Sequence, residues 1–118
     1  MCKNIVALAE SYYKAMGEKN ISEVEKFLHP DVTFIAPLAK TQGKEPFLIE
    51  TKKFMDFMES KTIRAVLGSN EKQQAVVIYD VNFPSSVGKL HAASYLTFDN
   101  GLITKIELFY DARPFGQK

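Results

Sequence analysis

The stretch that most constrains this chain is residues 91–110, HAASYLTFDNGLITKIELFY. Two runs of alternating character flank Asp99-Asn100-Gly101, and together they read as an antiparallel β-hairpin. Two registers compete. A two-residue Asn100-Gly101 turn sets Phe98, Leu96 and Ser94 opposite Ile103, Lys105 and Glu107, which mixes apolar residues and charges on one face. A three-residue loop, with Gly101 left-handed, sets Phe98 opposite Leu102, Leu96 opposite Thr104, Ser94 opposite Ile106 and Ala92 opposite Leu108. Side chains alternate with period 2, so only the second register keeps one face apolar, and the pattern selects it. Even-numbered side chains then share an apolar face with Ser94 in its middle and Tyr110 at its far end. His91, Tyr95, Lys105, Glu107 and Phe109 take the other face.

The chain before the hairpin supplies the layer that this face packs on. Residues 4–16 put Ile5, Leu8, Ala9, Tyr12 and Met16 on one helical stripe, ended by Gly17. Ser22-Glu23-Val24-Glu25 is a capping-box pattern that opens a short helix carrying Val24, Phe27 and Leu28. His29-Pro30 closes it, because the residue before a proline avoids the helical region. Residues 31–38 read as a strand with Val32, Phe34 and Ala36 on one face, and Pro37 limits it to an edge or a short length. Residues 39–44 are a loop. Residues 45–59 form a long helix, with Pro46 in its first turn and Phe47, Phe54, Phe57 and Met58 on its apolar side.

Strands follow at 62–68, where Ile63, Ala65 and Leu67 alternate with Arg64, and at 74–83, where Val77, Tyr79, Val81 and Phe83 alternate with Ile78, Asp80 and Asn82. Residues 70–72 and 84–88 connect them, and 112–118 are a tail. The order α-α-β-α-β-β-β-β predicts one α+β domain over 1–118, with three helices packed on one face of a strongly curved, mostly antiparallel sheet. Two layers that meet at one end and gape at the other leave a cone, the kind of interior where small-ligand sites form.

A length of 118 residues suits a single core, and 15 basic against 14 acidic residues, interleaved, leave a net charge of +1. With no basic block, nucleic acid and anionic membrane are poor partners. No apolar run is long enough to span a bilayer. The N-terminal MCKNIVALAESYYK reads as an amphipathic helix and not a secretion signal. A lone Cys2 cannot form an internal disulfide, which fits a reducing cytoplasm.

The Tyr12-Tyr13 helix, the run EVEKFLHPDVTFIAP over 23–37, Gly43 before the long helix and the ending FDNGLITKIELFYD over 98–111 carry a resemblance. The chain resembles the nuclear transport factor 2-like superfamily, which includes SnoaL-like polyketide cyclases and ketosteroid isomerases, over about residues 5–113. The resemblance implies a cystatin-like cone, no cofactor and a homodimer paired through the convex sheet face. It also implies site positions. Ketosteroid isomerase-like members place an oxygen-binding Tyr on the first helix, and Tyr12 stands there. Their general base, an Asp late in the first strand, corresponds to Ala36, which cannot take a proton. Their second oxyanion donor, a protonated Asp on the penultimate strand, corresponds to Ser94. No inward Asp or Arg matches the Asp-Arg-Asp set of the epoxide-opening members.

These assignments make Tyr12 and Ser94 the catalytic candidates. Tyr12, Phe34, Ala36, Phe54, Met58, Tyr79, Val81, Ser94, Leu96, Leu108 and Tyr110 become the expected pocket, suited to a hydrophobic ligand with one or two oxygens. The competing reading is that several of these aromatics simply fill the core. Ile78, His91, Tyr95 and Phe109, with Ile103, make the outer face apolar enough for a symmetric dimer interface. His29 fits a helix C-terminus and His91 a surface, and the histidine spacing offers no metal site. Asp80 faces outward toward Arg64 or Lys105, whereas a one-residue slip would turn it inward as a base.

Overall fold

The computed structural model describes residues 4–37, 39–84 and 88–110. Cys2, Leu38, the middle of the 84–88 loop, Asp111 and the 112–118 tail lie outside the described residues. The elements run α1 (Ile5–Gly17), α2 (Ile21–Lys26), β1 (Leu28–Ile35), β2 (Lys40–Gln42), α3 (Lys44–Phe57), β3 (Ser60–Ser69), β4 (Gln74–Asn82), β5 (Lys89–Asp99) and β6 (Leu102–Tyr110). The fold is α+β, and the expected order holds with one short strand, β2, added inside the 39–44 loop. The six strands form one sheet ordered β2-β1-β6-β5-β4-β3. Only the β1–β6 pairing is parallel. No helix among the described residues is long and apolar enough to cross a membrane.

Helix α1 is opened by Asn4, whose side chain accepts a hydrogen bond from the Ala7 amide. It packs on β3, β4 and α2 at once. Its buried arc is therefore wider than the stripe read from spacing and takes in Tyr13 and Ala15. Helix α2 is capped by Asn20, which accepts from the Glu23 amide, and not by Ser22. Lys19 turns the chain at φ 59°, so the cap falls two residues early, and Asn is as good a cap as Ser. Leu28, expected to end that helix, is instead the first residue of β1. Pro30 sits where the β1–β6 pairing shifts, between Leu28 and Thr33, so its missing amide interrupts no ladder bond.

The hairpin resolves the two competing registers with a feature that neither contains. Asn100 and Gly101 have φ of 54° and 81°, a two-residue turn with both central residues left-handed. Asp99 faces Leu102 and Phe98 faces Ile103. The register then shifts, and Leu96 faces Ile106, Ser94 faces Leu108 and Ala92 faces Tyr110. Thr104 is the extra residue of this bulge, and its hydroxyl donates to the Thr97 carbonyl at 3.2 Å. The three-residue loop is thus corrected to a tight turn plus a bulge. Parity on β5 stays as expected, with Leu90, Ala92, Ser94, Leu96 and Phe98 all buried. On β6 the bulge moves Ile103 from the expected outer face into the core, where it is fully buried.

A second bulge falls in β3 at Arg64, between Ile63↔Tyr79 and Ala65↔Ile78. Before it Lys61 and Ile63 face the helices, and after it Val66 and Gly68 do. Leu67, expected beside Ile63, is turned outward and is 64% exposed. Gly68 lies under α1, where an added Cβ would come within 2.9 Å of Val6 Cγ2. Its bare backbone lets the first helix settle on the strand.

Candidate functional site

Between the inner sheet face and α3 lies a cavity of about 410 Å³. Each wall follows from an alternation. β4 contributes Tyr79 and Val81, β5 contributes Leu90, Ala92 and Ser94, and β6 contributes Ile106, Leu108 and Tyr110. Phe34 and Ala36 come from β1 and the residue after it, and Tyr12, Tyr13 and Met16 from α1. The lining residues that remain exposed on α3 are Glu50, Lys53 and Phe57, and they mark its open side. Glu50 and Lys53 pair with each other at 3.7 Å, both well solvated. Ala36 and Ser94 are small where a filled core would need bulk, and the space lies beside them.

Phenols and a serine hydroxyl are set into the apolar lining. Tyr12 is fully buried, edge-on to Tyr13 at 4.8 Å and to Phe27 at 6.0 Å. Its hydroxyl has no hydrogen-bond partner. Burial, and then the neighbouring Tyr79 phenol, raise its pKa far above the usual tyrosine range, so it stays protonated and able to donate. Tyr79 Oη and Ser94 Oγ lie 3.2 Å apart, and either oxygen can be the donor. Burial pushes Tyr79 up to about 12, against the favourable bonds from Ser94 and Tyr13. Tyr110 is half-buried, and burial raises its pKa too. Every phenol here is a neutral donor, so the lining can stabilise a ligand oxygen as charge gathers on it.

The structure brings nine of the expected pocket residues to the lining: Tyr12, Phe34, Ala36, Phe54, Tyr79, Val81, Ser94, Leu108 and Tyr110. Met58 and Leu96 are not among them. Met58 follows α3 as its C-cap and is 1% exposed, and Leu96 is fully buried in the core. Spacing missed Tyr13, because it sits one residue off the α1 stripe. It also missed Glu50 and Lys53, although both lie within a turn of Phe54 or Phe47 on the same helix. Asp80 faces outward, 3.6 Å from Arg64, and the partner not foreseen is His91, at 2.6 Å. The expected dimer-face residues lie on that outer side. Ile78 and Tyr95 are half-buried there, and His91 and Phe109 exposed. Among the described residues no cluster of three His, Cys, Asp or Glu could hold a metal.

The model of the SnoaL-like domain family matches residues 9–106, from the first helix to the last strand. No curated protein matches the chain. Among solved structures, a protein from Kribbella flavida DSM 17836 is similar at 21% identity and a TM-score of 0.87, covering 95% of this chain and 90% of its own. A steroid delta-isomerase from Pseudomonas aeruginosa is similar at 18% identity and a TM-score of 0.77, covering 91% and 79%. A candidate polyketide cyclase from Pseudomonas putida KT2440 is similar at 16% identity and a TM-score of 0.79, covering 96% of each chain. At these identities the likeness establishes the nuclear transport factor 2-like, cystatin-like fold and nothing finer.

Proposed function

The chain belongs to the SnoaL-like domain family, and from that premise we propose that its cavity binds a hydrophobic small molecule carrying one or two oxygens. The observation that carries this reading is the Tyr12 hydroxyl, fully buried and without a partner, on a side chain that belongs to the cavity wall. A buried hydroxyl left unpaired costs about 1–3 kcal/mol. A ligand carbonyl or hydroxyl oxygen accepting from it recovers that cost. A volume of about 410 Å³ falls in the size range of small-ligand sites.

The chemistry proposed is cofactor-independent and electrophilic, of the isomerase, dehydratase or cyclase class. Tyr12 donates to the ligand oxygen as negative charge builds on it, and Ser94, held by Tyr79, assists from the facing strand. The isomerase and the candidate cyclase among the similar structures are a reason for naming this class. Ala36 supplies no base, and Glu50, the one carboxylate among the described lining residues, is engaged with Lys53 at the opening. Proton removal by the ketosteroid isomerase route is therefore not part of the proposal. The test is a thermal-shift panel of planar, oxygenated hydrophobes. Some members should raise the melting temperature, and Tyr12→Phe should blunt the rise while leaving the unliganded protein folded. A flat response across the panel contradicts the reading.

A second observation favours a homodimer. The convex face carries Phe109, 56% exposed, beside the half-buried Ile78 and Tyr95. We propose that two copies pair there about a two-fold axis, with the Asp80–His91 pair at the edge of the patch.

A further inference from the structure

A second group is placed as unusually as Tyr12, and the proposed ligand chemistry does not use it. Lys61 stands near the start of β3, opposite Val81, with its side chain turned toward the helices. Its Nζ lies over the Tyr13 ring, 4.1 Å from the centroid, 4.7 Å from that of Tyr79 and 6.0 Å from that of Phe54. Its one hydrogen bond goes to Met16 Sδ at 2.9 Å, a weak acceptor. Among the described residues no carboxylate pairs with it. The charged groups nearby are Glu10 and Lys14 of α1, both exposed at a groove rim, and Lys14 is already paired with Glu18 at 3.4 Å. From β4 and α3 it meets only the neutral Tyr79 and Phe54, and its neighbour on β3 is Ile63.

An ammonium wants water or an anion. Here it has ring faces and a thioether, which offset only part of the lost hydration. Burial holds Lys61 well below the usual lysine range, in favour of the neutral amine. The Lys61 side chain lines a surface groove between α1 and β3, together with Glu10, Tyr13, Lys14, Gly17 and Ile63, while the side chains against its Nζ, those of Tyr13, Tyr79, Phe54 and Met16, belong to the cavity wall.

We propose that Lys61 is a reactive amine, in the wall between this groove and the cavity, that captures small aldehydes or ketones as imines. The nitrogen lone pair forms a C–N bond as the carbonyl π bond opens, and one amine hydrogen passes to the oxygen. Loss of that hydroxyl with the second amine hydrogen, as water, leaves the C=N bond. Nothing is oxidised or reduced, and water in the groove reverses the step.

The test uses the wild-type protein with propanal and sodium cyanoborohydride, which reduces imines as they form, and follows each lysine peptide by mass spectrometry. Lys14, on the same rim, is the internal reference. At neutral pH Lys61 should be alkylated several-fold faster than Lys14, because burial favours its neutral, nucleophilic form. Its rate should also level off below the ordinary lysine range. Lys61→Arg should lose the fast adduct and leave the other peptides unchanged. A Lys61 rate at or below that of Lys14, a Lys61 rate that still climbs through the ordinary lysine range, or a fast adduct that survives Lys61→Arg overturns the proposal. Ligand binding in the cavity is read separately, by the thermal-shift panel on the wild-type protein, so failure of one proposal is told apart from failure of the other.

Discussion

Tyr12 and Lys61 share a condition at the scale of single residues: each is a polar group held where protein supplies no adequate partner. Their titrations act on stability in a defined direction. In the unfolded chain Lys61 keeps its proton to its ordinary 10.5, whereas the folded amine releases it at lower pH. Between those two values the unfolded chain binds the extra proton, so stability rises with pH across that window. Tyr79 acts the other way. Its ordinary value is 10.0 and its folded value about 12, so its contribution is complete below 10.0 and is lost as pH climbs toward 12. Lys61→Met should stabilise the protein at neutral pH by about 1 kcal/mol or more. It should also flatten the rise of melting temperature on the way to pH 10, in buffered thermal melts. A variant less stable than wild type at neutral pH would mean that the ring contacts outweigh the lost hydration. Tyr12 is legible in the sequence because it lies on the apolar stripe of a helix. Lys61 is not, because a strand begun at Thr62 leaves it in a turn, and only the extra residues of β3 bring it into phase with Ile63.

Elements, not residues, carry the hairpin. The period-2 pattern identifies the buried face of β5 correctly, since each strand there runs unbroken. It assigns the wrong turn, because a constant stagger is assumed from the turn to the strand ends. Thr104 breaks that assumption, and so does Arg64 in β3, where the same cause puts Leu67 in solvent. A bulge leaves no mark on apolar periodicity beyond a local change of phase, and a change of phase reads equally well as a longer loop. The turn itself is testable. Gly101 holds φ 81°, so Gly101→Ala should cost about 1–2 kcal/mol. Denaturant melts measure this, with the slope unchanged if the rest of the sheet is intact. A neutral result would mean that the turn relaxes to another geometry. Gly68→Ala tests a different constraint, contact with Val6, and should be destabilising without altering the hairpin.

The cavity is a property of the whole molecule, arising because the curved sheet and α3 close on each other at one end only. Side-chain alternation supplies the walls that the strands contribute, so nine of its 21 described lining residues are those expected from the sequence. Its opening cannot be read there, because Glu50 and Lys53 look like an ordinary solvated helix face, and Phe57, expected on the apolar side, is exposed beside them once α3 is set against the sheet. The opposite, convex face is where the proposed dimer pairs. Tyr95→Glu combined with Phe109→Glu should shift the protein to the monomer position on a sizing column. A dimer that survives both changes would place the contact elsewhere.

Whether the cavity is a binding site is answered most directly by a crystal structure of protein purified from cells without added ligand, read for density beside Tyr12. The prediction is a bound molecule between the sheet and α3, with one of its oxygens within hydrogen-bond distance of Tyr12 Oη. A cavity closed by Phe54 and Phe57 turned inward, with Tyr12 Oη bonded to a protein group, would contradict it.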